Sequence, residues 1–185
     1  MKFLIELFSD ADSAVRSFIE YRRWHYGLSA GALSGFSLWL AALVSFFRPV
    51  LSFRFAVMLI VPLLLFMVIL TIITAFMFHF AAALSGAKGE ILDLFFLLPA
   101  ASCPFIASVP LALVSLFAGR FAAAVFFIFF SAEAILSLKL LFSILSSYYE
   151  LDVRKTACVL FFPAIFWMTA VSLCAAAAVF TALIR

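Results

Sequence analysis

The sequence predicts an all-α fold: a polytopic membrane bundle of about five transmembrane helices, preceded by an amphipathic interfacial helix. Three observations predict it. The chain is 69% hydrophobic and 11% charged, with a mean hydropathy of +1.32, where a soluble domain carries about 25% charged residues. Its apolar runs are continuous and reach the roughly 20 residues that cross a bilayer as a helix, unlike the short alternating segments of a β-barrel. Polar residues collect between those runs. Lipid offers the backbone no hydrogen-bond partners, so each run must satisfy its own peptide groups as a helix.

Residues 1–26 form a polar-flanked tail. Leu7, Ala11, Val15, Phe18 and Ile19, with Phe3, Leu4 and Phe8 before them, recur at three- and four-residue steps, the spacing of an amphipathic helix. Such a helix is expected in the interface plane with Arg16, Arg22 and Arg23 near lipid phosphates. Trp24, His25 and Tyr26 follow where aromatic belts form. The run Phe3 to Phe8 is interrupted by Glu6 and followed by Asp10 and Asp12, which does not fit a cleavable signal peptide. The first span is expected to act as an uncleaved anchor.

The membrane domain, 27–185, reads as spans at about 28–47, 55–84, 94–118, 121–147 and 156–184. Gly27, Gly31 and Gly35 give the first span a flat face at four-residue steps, suited to close helix packing within the chain or to self-association. Arg48-Pro49 closes it. Pro62 lies inside the second span and Pro163 early in the fifth. The third holds Pro99, Pro104 and Pro110. Each proline removes a backbone donor and crowds the preceding turn, so this span is expected to be kinked or locally unwound. Gly119-Arg120 is a minimal turn. No linker or second domain is apparent.

Five spans put the termini on opposite sides. Lys2, Arg16, Arg22, Arg23, Lys88, Arg154 and Lys155 share one face; Arg48, Arg54, Arg120 and Arg185 share the other. The excess of basic residues predicts a cytoplasmic N-terminus. Lys139 is left aside because it can snorkel from within the fourth span. Bacterial inner membrane is the expected location.

Few residues carry chemistry. Glu133 lies near the middle of the fourth span, where an ionisable group costs about 2.5–3.5 kcal/mol to insert and is by default a candidate functional residue. It reads either as a neutral acid hydrogen-bonded to a neighbouring span or as part of an ion or proton pathway. His79, near the end of the second span, reads as a structural hydrogen-bonding group or a proton carrier. Ser85 to Asp93 is a charged hairpin loop: Gly86 and Gly89 supply turn conformations, and Lys88, Glu90 and Asp93 its charge. Glu90 and Asp93 also suit a helix N-terminus through its dipole.

No His-Glu-x-x-His, nucleophile elbow or P-loop occurs, so a non-enzymatic protein without cofactor or metal is expected. Cys103, Cys158 and Cys174 lie in apolar runs without a Cys-x-x-Cys pair, and read as buried thiols. The net charge of +3 without basic clusters gives no indication of nucleic-acid binding. Expected partners are membrane lipids and other membrane proteins, and an oligomer is possible.

His79, the turn Ser85-Gly86-Ala87-Lys88-Gly89, then Pro99 or Pro104 resemble the Yip family of small polytopic membrane proteins, in particular their bacterial relatives. Those commonly show a polar span end, a Gly-Gly-Lys-Gly-type turn and a proline-bearing span. The last loop fits as well, with Tyr148-Tyr149, Asp152 to Lys155 and Pro163. Two departures stand out: Ser85-Gly86-Ala87 replaces the double glycine, and the eukaryotic Tyr-Gly-Pro segment is absent. The resemblance implies a five-helix membrane domain with a cytoplasmic N-terminus and a scaffold or adaptor role. It does not carry over Rab binding. The rival expectation is a transporter or channel component that uses Glu133 and the proline-broken span.

Overall fold

The computed structural model describes residues 6, 7, 9–46 and 53–184. Among these every regular element is helical and no strand occurs. The Arg48-Pro49 connection, Lys2, Phe3, Leu4, Phe8 and Arg185 lie outside the described residues, as do the side chains of Arg54 and Cys174. The helices are α1 (Ala11–Glu20), α2 (Trp24–Phe46), α3 (Phe53–Leu84), α4 (Ile91–Leu97), a 3-10 stretch (Leu98–Ala107), α5 (Ser108–Ser115), a short 3-10 turn (Leu116–Phe121), α6 (Ala122–Tyr149) and α7 (Val153–Ile184). Both Pro62 and Pro163 sit inside helices that continue through them.

Among the described residues, three helical runs are long and apolar enough to cross a membrane: Trp24–Val44, Leu64–Leu84 and Ile91–Tyr149. The third, of 59 residues, far exceeds one crossing. It consists of two arms, because the backbone breaks at Gly119 (φ 57°, ψ −119°), a left-handed conformation natural to glycine. Cross-contacts pair the arms antiparallel. Tyr148 meets Glu90, Ser137 meets Ala101 and Glu133 meets Ser108, a progression that converges on Gly119-Arg120. The first arm runs parallel to α2: Trp24 meets Asp93 and Ser37 meets Ile106, the same 69-residue offset both times.

This first arm, α4 to α5, is the middle of the bundle, with α2 on one side and α6 on the other. Its core is an uncommonly long 3-10 stretch; such runs rarely exceed three or four residues. The prolines explain it, and the neighbours repair it. In 3-10 spacing the Ala101 carbonyl would bond the nitrogen of residue 104, but that is Pro104; Ser137 Oγ of α6 donates to it instead at 2.8 Å. In α spacing the Ile106 carbonyl would bond residue 110, again a proline. Ser37 Oγ of α2 donates to that carbonyl at 2.9 Å and accepts from Val109 N at 3.2 Å. Broken backbone inside lipid persists only where such partners exist. Ser37→Ala strips both groups at once and is expected to lower stability by about 2 kcal/mol, measured as a shift in denaturant unfolding in detergent.

Helix α1 is amphipathic, as its spacing predicts. Asp10 caps it by accepting from Ser13 N at 3.2 Å. Its apolar face does not look out to lipid: Ala14, Val15 and Phe18 are fully buried, in a core with Ala30, Leu97, Ala100, Leu140 and Ile144. The helix ends with the Arg23 N–H bonding the Phe18 carbonyl and the Arg22 N–H bonding that of Ile19, around a left-handed Arg22 (φ 46°). This is the Schellman closure, where glycine usually stands. α3 ends the same way, with Gly86 (φ 81°) in the left-handed position.

Outward, the molecule is apolar. Phe66, Phe76, Phe117, Phe127, Ile128 and Ile165 are all exposed, as suits a surface that meets lipid tails rather than water.

Candidate functional site

Glu133 follows from the register of α6. Phe126, Glu133, Leu140 and Ile144 are all buried, and their steps of seven, seven and four residues mark one helix face. That face meets the first arm, so the carboxyl enters the bundle just where the 3-10 stretch returns to α-helix. Ser108 Oγ, itself buried, donates to Glu133 Oε2 at 2.6 Å. Oε1 is buried and has no hydrogen-bond partner. Glu133 retains 4% exposure and lines none of the grooves described below. The contact is buried, and it ties α5 to α6. Lys139 is exposed and points elsewhere; His79 is not near this pair but belongs to a second constellation.

That second constellation closes the loop end of the bundle. Gly89 lies under two tyrosine rings: a β-carbon there would meet both Tyr148 Cε1 and Tyr149 Cε1 at 2.9 Å. The rings are edge-on to each other, centroids 4.7 Å apart. Tyr148 OH donates to the Glu90 carbonyl at 2.7 Å and accepts from Glu90 N at 2.8 Å. Tyr149 OH pairs with His79 Nδ1 at 2.9 Å. Trp24 Nε1 donates to Asp93 Oδ1 at 3.1 Å while its ring stacks on Phe96, centroids 4.8 Å apart. Ser147 Oγ donates to Asp12. The tail, the hairpin and the last loop therefore share one end of the molecule. Tyr148→Phe removes both bonds to Glu90 and is expected to raise amide exchange across residues 86–92 about thirtyfold, from roughly 1 kcal/mol per lost bond, measured by hydrogen–deuterium exchange.

Gly27 abuts the Phe96 carbonyl so closely that a β-carbon would overlap its oxygen; at Gly31 a β-carbon would meet Pro99 Cβ at 2.5 Å. Gly35 is looser, with Met67 Cε at 3.7 Å. Pro99 opens the 3-10 stretch and Pro104 lies buried inside it. Lys88 is exposed and, unlike its neighbours Gly89 and Glu90, takes no part in the tyrosine clasp. Cys103 is buried, but Cys158 is exposed, so the expectation of a buried thiol fails at 158: its face of α7 is turned outward. Among the described residues no three His, Cys, Asp or Glu side chains gather as a metal site.

Sequence reasoning missed Ser37, Ser108 and Ser137, the three hydroxyls that complete the broken arm. One signal was present: Ser137 lies four residues after Glu133, on the same helix face. Two adjoining hollows, of about 370 and 240 Å³, run between α2 and α3. A third, of about 330 Å³, lies between the start of α1 and the end of α6 and is lined by serines and Asp10 and Asp12.

No family model, curated protein or solved structure matches this chain.

Proposed function

We propose that the protein is a non-enzymatic, five-span, Yip-like scaffold of the bacterial inner membrane, with its N-terminus in the cytoplasm. The observation that carries this reading is the closed loop end. Trp24–Asp93, Tyr148–Glu90, His79–Tyr149 and Ser147–Asp12 tie three separate segments into one platform. Lys88, Arg154 and Lys155 remain exposed on it. A scaffold needs such a fixed face, whereas a transporter needs polar groups free to bind cargo. Here Glu133 is held by Ser108 and His79 by Tyr149. The five-span count draws support from the Gly119 break and the antiparallel arms, and the Yip likeness from the meeting of the hairpin with the last loop. Photocrosslinkers placed at Lys88 and Arg154 in living cells are expected to capture the same membrane-associated protein. Capture of nothing from either position would count against the scaffold.

One observation favours the second reading, a proton- or ion-coupled transporter component: Glu133 Oε1 has no partner. A buried unpaired oxygen is a place for a proton or cation. Flux into proteoliposomes that disappears in Glu133→Gln would establish that reading.

A further inference from the structure

We propose that the trough between α2 and α3 holds one tail of an anionic phospholipid, with its phosphate at Arg22 and Arg23. The two hollows of about 370 and 240 Å³ share Gly35, Leu64 and Met67, so they form one channel along α2 from Leu28 to Ala42. At 1.5 Å per helical residue its length is about 21 Å, enough for a chain that fills one leaflet, about 15 Å deep. The trough exists because α2 leans on the first arm through Gly27 and Gly31 while α3 leans on α4 and α7. Its walls are apolar. The two hydroxyls that border it are already engaged, Thr71 with the Met67 carbonyl at 2.8 Å and Ser102 with that of Pro99 at 2.6 Å. A polar ligand would find no partner there; an acyl chain needs none.

The charge at one end selects the lipid. Leu28 lies four residues, about 6 Å, beyond Trp24 at the start of α2, directly after the Arg22-Arg23 turn. The Arg22 guanidinium lies 5.8 Å from the Trp24 ring centroid, and that of Arg23 lies 4.9 Å from Tyr21 and 6.0 Å from Tyr26. These rings hold both cations at the edge of the apolar zone, where lipid phosphates lie. Among the described residues neither arginine has an acidic partner; Asp93, which reaches this turn, is bonded to Trp24. Arg22 is exposed and left-handed, in a position that glycine would occupy with less strain. Strain retained for a particular side chain points to a use for that side chain. A helix from a second copy is the rival occupant, but an apolar helix face leaves this charged end uncomplemented.

The test uses the full chain in nanodiscs containing photoactivatable phosphatidylglycerol or phosphatidylcholine, each with a diazirine on the tail, and peptide mapping of the label. Phosphatidylglycerol is expected to label peptides from 28–42 and 64–71 about thirtyfold more than phosphatidylcholine, an advantage of the size two arginines supply at an anionic surface. Arg22→Gln with Arg23→Gln should reduce it to the phosphatidylcholine level. Gly35→Leu should remove label from the trough with either lipid, and Ala32→Phe, on an exposed wall position, provides a second block should Gly35→Leu fail to fold. Equal labelling by the two lipids, preference that survives loss of both arginines, or crosslinks from the trough to a second copy each overturn the proposal.

Discussion

Gly27→Ala is expected to destabilise the bundle by about 3 kcal/mol, at the upper end for one added methyl in a packed core. The obstacle is the Phe96 carbonyl oxygen. Backbone cannot rotate aside as a side chain does, so α2 would have to move off the first arm and carry Ser37 away from Ile106. Gly31→Ala meets the ring of Pro99 and should cost less, about 1–2 kcal/mol. Gly35→Ala meets Met67 at ordinary contact distance and should be neutral or stabilising by up to about 1 kcal/mol, since alanine is the better helix former. Unfolding titrations in mixed detergent read the order directly. Equal effects at the three positions would mean that the glycine face does not pack on the first arm.

The second large effect is expected at Ser108 and Glu133. Ser108→Ala leaves a buried carboxyl with neither oxygen bonded, and should cost about 2–3 kcal/mol. Glu133→Leu should cost less, about 1 kcal/mol, because the Ser108 hydroxyl can turn to a carbonyl of its own helix. The double variant should return to within about 1 kcal/mol of the parent, since replacing both members of a buried polar pair by apolar groups is nearly neutral. The cycle thus predicts a coupling of about 2–4 kcal/mol. Additive losses would show that the two side chains do not act as a pair.

Much of this architecture was legible in the residues. Long apolar runs gave the helices, and Pro99, Pro104 and Pro110 announced the broken arm. Gly119-Arg120 marked its far turn, and the tail's three- and four-residue spacing marked α1. The partners were not legible. Spacing shows that α1 has an apolar face but not that it covers Leu97 and Leu140. A proline shows which donor is missing but not that Ser37 or Ser137 will replace it, because that depends on the register of two helices distant in sequence. Glu133 stood out by depth alone; its partner is one serine among many in the chain. The clasp of Tyr148 and Tyr149 over Gly89 depends on a hairpin meeting a loop, which no local pattern encodes.

The scaffold reading rests on Glu133 serving the bundle and the loop end serving partners. In cells, photocrosslinking yield from Lys88 and Arg154 in the Ser108→Ala, Glu133→Leu double variant tests both together. The account predicts the same captured protein at unchanged yield, with the polar pair removed and the fold intact. Loss of capture in a double variant that unfolds like its parent would contradict it and assign Glu133 a direct part in function.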